Sequence, residues 1–172
     1  MVREAGHTRC YDIFDSPLGP LYIEFSGKFL TGISFNKPSD ITFKKTAAPE
    51  RFKKELVSYF EGTGTAFEQE VKFLIGTDFE KKVWNALREI PFGETRTYKW
   101  VAEKAGNPSA VRAAGRALSK NPVPIVIPCH RVIESDGSIG GYSSGVAIKR
   151  RLLDMEYYSK LNGGQVPPAS PA

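Results

Sequence analysis

An apolar run meets reactive side chains in the stretch Ile125-Val126-Ile127-Pro128-Cys129-His130-Arg131-Val132. The β-branched run ends in a proline, which predicts a buried strand that stops abruptly. Cys129 would then lie where the chain leaves the core. A thiol at such a point is held rigidly and can still be reached by a substrate.

Cys129 also has a plain structural interpretation, because free cysteine is among the most buried residue types and behaves as a small apolar side chain. His130 and Arg131 follow it directly, however, and a nearby imidazolium or guanidinium charge favours the nucleophilic thiolate. Neighbouring side chains of an extended chain point to opposite sides. His130 can therefore reach Cys129 directly only where the backbone turns, and otherwise a bridging water is needed.

The composition is that of an ordinary globular protein. The 172 residues fit one domain or two small ones, with 41% hydrophobic and 25% charged residues. No apolar run approaches the length of a membrane span and no signal-peptide core is present, so we expect a cytoplasmic protein, or a nuclear one in a eukaryote. Cys10 and Cys129 do not form a disulfide framework, and a reducing compartment suits a reactive thiol.

The positive charge is placed unevenly along the chain. Residues 1–76 carry 10 Lys and Arg against 10 Asp and Glu, so the whole net charge of +5 lies in the half that contains Cys129. A basic half favours a polyanionic partner, with nucleic acid first among the candidates. A solvated surface of mixed charge is the alternative.

The N-terminal half, residues 1–75, predicts a small structural α/β domain. Apolar residues alternate along three runs separated by turn residues, which indicates an antiparallel meander, and residues 49–62 have the spacing of one amphipathic helix. The connector that follows predicts a short strand at Val71 to Leu74. His7 and Cys10 are too few for a four-ligand zinc site, and we expect neither metal nor cofactor.

The C-terminal half, residues 76–160, predicts mostly helices, with a disordered tail at 161–172. Thr77 opens a capping box, and the helix that it begins carries an apolar face as far as Ile90. Tyr98 to Ala105 reads as a short helix closed by Gly106, and Asn107-Pro108 reads as the start of the next. This is a helix-turn-helix pattern, although such pairs are often plain packing units.

The second helix of this pair has a basic outer face. Arg112, Arg116 and Lys120 recur at i, i+4 and i+8, accompanied by Ser109 and Ala113. Small residues on this helix let its backbone approach a groove closely, which favours DNA binding over a merely solvated face.

Beyond Cys129, Ser135 to Ser138 between apolar residues indicates a hairpin. A loop follows at 140–145, which offers backbone amides, hydroxyls and one aromatic ring, although an ordinary glycine-serine turn has the same composition. Val146 to Tyr157 predicts the last helix.

Three segments together resemble the active-site signature of the O6-alkylguanine-DNA alkyltransferases. They are Asn121-Pro122-Val123-Pro124, Ile127-Pro128-Cys129-His130-Arg131-Val132 and Gly140-Gly141-Tyr142-Ser143-Ser144-Gly145, and the similarity extends from about Thr77 to Glu156. The expected architecture is a small antiparallel-sheet and helix domain packed on a mostly helical domain with a winged-helix-like, helix-turn-helix core. Some members of the family carry zinc in the N-terminal region, but this chain lacks the residues for a site of that kind.

The resemblance implies a role for individual residues. Arg112 corresponds to an arginine that enters the base stack, Tyr98 to a tyrosine that hydrogen-bonds the flipped guanine and can supply a proton to it, and Asn121 to an asparagine that ties the recognition helix to the active-site turn. Glu156 corresponds to a glutamate that orients the histidine, giving a chain of Glu156, His130, water and Cys129. Further matches line the base pocket: Pro124, Val132, Tyr142, Ser143 and Lys149.

The function implied is direct-reversal DNA repair. A monomer would bind the minor groove of duplex DNA, flip out an O6-alkylguanine, and in the same way an O4-alkylthymine, at an unstacking cost of roughly a few kcal/mol. The Cys129 thiolate would then take the alkyl group. A thioether has no easy leaving path, so each molecule would act once.

Three other functions share parts of this pattern. A non-catalytic alkyl-lesion binder has the same fold and groove chemistry but lacks the reactive cysteine. A cysteine hydrolase would use Cys129 and His130 on an ester or amide, leaving the basic helix idle. A helix-turn-helix regulator would show sequence preference and tolerate loss of Cys129, whereas minor-groove insertion gives little sequence preference and a strong salt dependence.

Overall fold

The computed structural model describes residues 9–39 and 43–164. Its N-terminal half contains a four-stranded sheet in the order β3-β2-β1-β4, built from β1 (Arg9–Ser16), β2 (Gly19–Ser26), β3 (Phe29–Ser34) and β4 (Lys44–Lys45). The first three strands form the predicted antiparallel meander, and β4 adds a short parallel edge to β1. Two-residue turns, Pro17-Leu18 and Gly27-Lys28, connect these three strands.

The face of the sheet that meets the core follows the period of two in the sequence. Leu21, Ile23 and Phe25 alternate along β2 and are all buried. Helix α1 (Glu50–Phe60) covers this face with an apolar stripe that includes Phe52 and Leu56. The helix predicted at 49–62 is therefore confirmed.

The strand predicted at Val71 to Leu74 is wrong. Only one isolated bridge pairs Val71 with Leu30, and the backbone on either side is irregular. The connector is anchored instead by backbone hydrogen bonds from Leu30 to Glu70 and from Lys72 to Leu30. A segment that makes two such bonds lies along β3 without extending the sheet.

Helix α2 (Asp78–Leu87) begins at the predicted capping box. The Thr77 hydroxyl accepts from the Glu80 amide, and the Glu80 carboxylate accepts from the Thr77 amide. The α-helix ends at Leu87 rather than at Ile90, and tight turns carry the chain on to Pro91. Trp84 is fully buried on this helix.

The helix-turn-helix pair consists of α3 (Tyr98–Lys104) and α4 (Val111–Ser119). Gly106 has a φ of +86°, the left-handed conformation that favours glycine after a helix, as the sequence predicted. The predicted start of the second helix at Asn107-Pro108 is wrong, because these residues form a separate turn and α4 begins only after Ala110. The Trp84 indole donates to the Ala117 carbonyl at 2.8 Å and fastens α4 to α2.

The predicted hairpin after Cys129 is half correct. The turn exists, with Glu134 and Ser138 hydrogen-bonded across it, but no second strand follows. Strand β6 (Val132–Ile133) pairs instead in parallel with β5 (Arg96–Thr97). This small two-stranded sheet joins the start of α3 to the end of the Cys129 segment.

Helix α5 (Val146–Leu161) closes the described chain and is four residues longer than predicted. The tail predicted to be disordered lies mostly outside the described residues, which end at 164.

Buried residues from both halves form one continuous hydrophobic core. None of the helices in the described ranges has both the length and the apolar character needed to cross a membrane.

Candidate active site

Cys129 lies on a tight turn and not at the end of a strand. The predicted strand at Ile125 to Ile127 is wrong: the chain loops so closely that Pro124 bridges to Ile127, and Ile125 has a φ of +75°. A β-branched residue in this region is strained and must be held by its surroundings. Cys129 then begins a short 3-10 helix, Cys129–Arg131, with its thiol at the edge of the core.

Asn121 fastens this turn. Its Nδ2 donates to the Ile127 carbonyl at 2.8 Å and contacts the Cys129 Sγ at 3.1 Å, while its Oδ1 accepts from the Val123 amide. Asn121 directly follows the last turn of α4. One amide side chain therefore links the second helix of the helix-turn-helix pair to the nucleophile, in the place that the resemblance implied.

A cavity of about 550 Å³ opens beside Cys129 and α4. The structure brings five of the predicted site residues to its walls: Tyr98, Arg112, Cys129, Tyr142 and Ser143. Pro124 and Val132 are buried behind the turn and do not line the cavity. The cavity has the size of a small-ligand site and is open on the side of the basic helix.

Tyr98 and Tyr142 are two of these walls, and Lys149 is buried next to the loop that carries Tyr142. Tyr98 begins α3, and burial and the charge of Glu134 raise the pKa of its phenol, so that it remains a proton donor. The Tyr142 hydroxyl is buried without a hydrogen-bond partner among the described residues, although it lies near enough to the Cys129 thiol to lower the pKa of that thiol. Lys149 lies beneath, where its Nζ donates to the Val132 and Gly141 carbonyls.

The Cys129 thiol is poised between opposing effects. Burial raises its pKa, and this effect dominates; the contacts with Asn121 and Tyr142 and the charge of Lys149 oppose it. The thiol is therefore mostly protonated in the free protein. A base is needed to produce the thiolate.

His130 and Glu156 have the geometry that such a base requires. The imidazole Nε2 lies 2.7 Å from Glu156 Oε1, and both side chains are completely buried. The Glu156 carboxylate remains ionised, because hydrogen bonds from His130 and Arg131 and the charge of Arg131 lower its pKa despite its burial. Burial lowers the pKa of His130 although Glu156 opposes this, so the imidazole is neutral and its Nε2–H donates to the carboxylate.

The other nitrogen of this ring is the proton acceptor. His130 Nδ1 is buried and has no hydrogen-bond partner in the described part of the chain. With Nε2 committed to Glu156, Nδ1 carries the free lone pair. No direct hydrogen bond joins it to Cys129 within the described residues.

The Glu156 carboxylate also accepts hydrogen bonds from three further groups, none of which the sequence patterns had placed there. Arg131 donates to both oxygens, at 2.8 and 2.9 Å, and also to the Ile90 carbonyl. The Gly93 amide donates to Oε2 and the Tyr59 hydroxyl to Oε1. Arg131 was part of the motif, yet its partner could be found only from the fold. The helical spacing of Tyr59 indicated only an ordinary core residue.

The basic face of α4 is only partly free. Arg112 and Arg116 are exposed, with Arg112 at the rim of the cavity, and Ala113 lies half-buried between them. Lys120 forms an ion pair with Glu80 at 2.7 Å, and the Ser109 hydroxyl donates to Asn107. The two arginines are therefore the predicted DNA-binding side chains with the least competition from the protein itself.

Glu134 is a cavity residue that no pattern in the sequence pointed to. Its carboxylate makes no hydrogen bond or ion pair within residues 9–39 and 43–164. A methyl group on Gly140 would lie 3.1 Å from the Tyr98 hydroxyl and 3.2 Å from Glu134 Oε1, so glycine lets both oxygens approach the loop. Those same ranges contain no cluster of three or more potential metal ligands.

Comparison with known proteins agrees with this geometry. The model of the 6-O-methylguanine DNA methyltransferase ribonuclease-like domain matches residues 10–73, and that of the DNA binding domain of the same proteins matches residues 78–158. A methylated-DNA–protein-cysteine methyltransferase from Methanosarcina barkeri is 45% identical over 153 residues, covering 85% of this chain and 96% of the relative. One from Mycobacterium tuberculosis is 42% identical, with coverages of 85% and 91%.

Solved structures give the same result. The crystal structure of Mycobacterium tuberculosis OGT in complex with DNA is 39% identical with a TM-score of 0.82, covering 87% of this chain and 93% of that one. The O6-methylguanine-DNA methyltransferase from Pyrococcus kodakaraensis is 30% identical with a TM-score of 0.63, covering 86% and 98%. The relatives match along nearly their whole length and across both halves of this chain. This protein therefore belongs to the 6-O-methylguanine DNA methyltransferase family.

Proposed function

We propose that this chain repairs O6-alkylguanine in duplex DNA by moving the alkyl group irreversibly to its own Cys129. The observation that carries the proposal is the arrangement around that thiol: it borders a cavity beneath a basic helix and has a neutral His130, oriented by the Glu156 carboxylate, behind it. Direct-reversal repair by alkyl transfer to a cysteine is the activity of the family.

The transfer begins with deprotonation of the thiol. His130 Nδ1 takes the proton through a water, and the imidazolium that forms is stabilised by the carboxylate at Nε2. The thiolate attacks the alkyl carbon in line, so the S–C bond forms as the C–O6 bond breaks. The electron pair leaves with guanine, which Tyr98 protonates, and Tyr98 recovers a proton from solvent. His130 then returns its extra proton to solvent, so the thiol proton ends, in effect, on guanine, and Cys129 remains as a thioether.

The alkyl carbon can be reached only after the nucleotide has left the base stack. Arg112, at the rim of the cavity, is suited to enter the vacated space, while small side chains such as Ala113 let α4 approach the minor groove closely. Tyr142, Ser143 and the Gly141 carbonyl that Lys149 binds would then surround the flipped base. O4-alkylthymine offers the same reactive group and is a second expected substrate.

Several broader features belong to the same proposal. Each transfer needs one Cys129, one lesion and no cofactor, so the protein can act as a monomer. Residues 1–75 would form the N-terminal domain and 76–160 the DNA-binding and acceptor domain, with the tail at 161–172 outside both. Cys10 and Cys129 are both free thiols, which suits a reducing compartment such as the cytoplasm.

The phosphate contacts of α4 can be tested by comparing two exposed cations. Arg116→Ala should weaken binding to unmodified duplex severalfold at low salt and reduce the slope of log affinity against log salt by about 1, because one phosphate contact is lost. Lys54→Ala removes the same charge from exposed α1 and should leave the slope unchanged. Fluorescence anisotropy over a salt series gives both values. If both variants have the same slope of log affinity against log salt, Arg116 does not contact DNA phosphates.

The test of the function itself is the intact mass of the protein after incubation with a duplex that contains one O6-methylguanine. We expect a gain of one methylene per molecule that saturates at one equivalent. Lesion binding without a mass gain would favour the non-catalytic lesion binder. Absence of both would favour the hydrolase, and a preference for one unmodified sequence would favour a transcription regulator.

A further inference from the structure

We propose that Tyr59, on α1 of the N-terminal half, is a positioning residue for alkyl transfer that shares the Glu156 carboxylate with His130 and so sets the proton affinity of the base. This inference rests on the proposed function, because it concerns the same proton transfer. It assigns to the N-terminal half a part in the chemistry beyond structural support. Nothing in the sequence of α1 marks Tyr59 as different from its apolar neighbours.

The Tyr59 side chain is tightly enclosed by its neighbours. Its side chain is only 1% exposed, and its hydroxyl lies 2.7 Å from Glu156 Oε1. Three aromatic rings surround it: those of Phe60, Phe67 and Phe92, with centroids 5.2 to 5.9 Å away. Phe92 belongs to the C-terminal half, so the ring is held by both halves. A tyrosine enclosed in this way has little freedom to choose another partner.

The direction of its hydrogen bond follows from the charge of the partner. An ionised carboxylate can only accept, so the phenol must donate. Burial and the negative charge of Glu156 raise the pKa of Tyr59 well above its ordinary value, and the donor is therefore present at every pH at which the protein works. A hydrogen bond to a charged group is about twice as strong as one between neutral groups.

Oε1 is the oxygen on which three donors meet. The Tyr59 hydroxyl and His130 Nε2 both lie 2.7 Å from it, and an Arg131 nitrogen lies 2.9 Å away. Each donor draws on the same negative charge, so each weakens the attraction that remains for the other two. Removal of the Tyr59 hydroxyl should therefore leave more charge for His130 and stabilise its imidazolium form.

The other charged groups around His130 limit alternative explanations. Arg131 on its own turn and Lys149 on α5 both lower the pKa of the imidazole, and Glu156 on α5 raises it. Tyr59 is the contribution of α1, with its oxygen 3.5 Å from His130 Nε2. Replacement of this one hydroxyl changes none of the formal charges.

The first experiment follows the titration of His130 by NMR in wild-type protein and in Tyr59→Phe, without DNA. The chain contains two histidines, His7 and His130, so the two signals are easily separated and His7 serves as the internal reference. We expect the titration midpoint of His130 to rise by about half to one pH unit in the variant, as befits the loss of one charged hydrogen bond. An unchanged midpoint would overturn the proposal.

The second experiment measures the single-turnover rate of methyl transfer at saturating duplex from pH 5 to 9. In Tyr59→Phe the acid limb of this pH–rate profile, where His130 becomes protonated, should move to higher pH. The rate at pH values below that limb should fall about three- to tenfold. Phe67→Leu is the matched control, because it loosens the packing of the Tyr59 ring without touching its hydroxyl. The control should lower thermal stability but leave the acid limb in place.

The outcomes separate this inference from the proposed function. Equal displacement of the acid limb by Phe67→Leu would show that Tyr59 acts only through packing. Failure of the wild-type protein to accept a methyl group would overturn the proposed function. The NMR titration would still decide whether Tyr59 sets the proton affinity of His130.

Discussion

Cys129→Ser is expected to abolish methyl transfer, with a loss on the order of 10³-fold or more, while binding to a duplex with O6-methylguanine stays close to that of the wild type. A serine hydroxyl ionises far less readily than a thiol, and the neutral His130 cannot make up the difference. Serine nearly preserves the shape of the turn, and its oxygen can still accept from Asn121 Nδ2. Only the nucleophile is removed.

The measurement is intact mass and bound fraction over time, with Cys10→Ser as the matched control. Cys10 is the other free thiol; it is half-buried on β1 and outside the cavity. Burial and the charge of Asp12 raise its pKa, which disfavours reaction there. We expect Cys10→Ser to take up one methyl group as the wild type does. A methylene gain in Cys129→Ser would show that another group is the acceptor.

The elements with local signals could be predicted from the sequence. The Thr77 capping box, the glycine at 106 and the alternation along β2 each depend on residues a few positions apart, and the structure contains all three features. The predicted start of α4 at Asn107-Pro108 was wrong, because these two residues can open a helix or a turn with equal local chemistry. Packing of α4 against α2, fixed by the indole of Trp84, decides between them.

The turn before Cys129 shows where local reasoning fails. The run Ile125-Val126-Ile127 is typical of a strand, yet prolines occupy three of the seven positions from 122 to 128 and remove the donors that a strand needs. The prolines argued against a strand, but the apolar run was given more weight in the prediction. The positive φ of Ile125, in contrast, is imposed by contacts such as the hydrogen bond from Ile33 to Pro122 and has no signature of its own.

The residues of the site likewise divide into those that a sequence motif reveals and those that only the fold reveals. The motif resemblance brought together Cys129, His130 and Glu156, which are separated by up to 27 positions and meet in the structure. Partners that lie on other elements were missed, including Tyr59, which is 97 positions from Glu156, and the ion pair that occupies Lys120. Such contacts depend on how separate elements pack against one another, which residue patterns within a single element do not specify.

Glu156→Gln is expected to be the most damaging single change in the buried network. The carboxylate accepts five hydrogen bonds, and every facing group is a donor: Tyr59, His130, the Gly93 amide and Arg131, which donates twice. An amide has one accepting oxygen, so its NH2 group must face a donor. Arg131 is also left as a buried charge without a counterion. Loss of one member of a buried pair typically costs about 3–5 kcal/mol of unfolding free energy.

The same change should slow methyl transfer by on the order of 10² to 10⁴. If the amide NH2 faces His130 Nε2, the ring must take the opposite tautomer, with its proton on Nδ1, and cannot accept one from the thiol. If the amide oxygen faces Nε2, the NH2 opposes Gly93 and Arg131 instead. Glu103→Gln, near the exposed end of α3 with a long ion pair to Lys99 at 4.0 Å, is the control and should match the wild type.

The pH dependence of stability gives an independent test of the charge on Glu156. Its folded-state pKa is lowered, so the carboxylate stabilises the protein above the unfolded-state value of about 4.3, and this stabilisation is lost as the pH falls through that value and below it. Glutamine has no such titration. Urea unfolding of both proteins should therefore show a large, constant difference from pH 8 to 6 that narrows as the pH falls below 4. A difference that stays constant to pH 3 would mean that Glu156 acts by shape and not by charge.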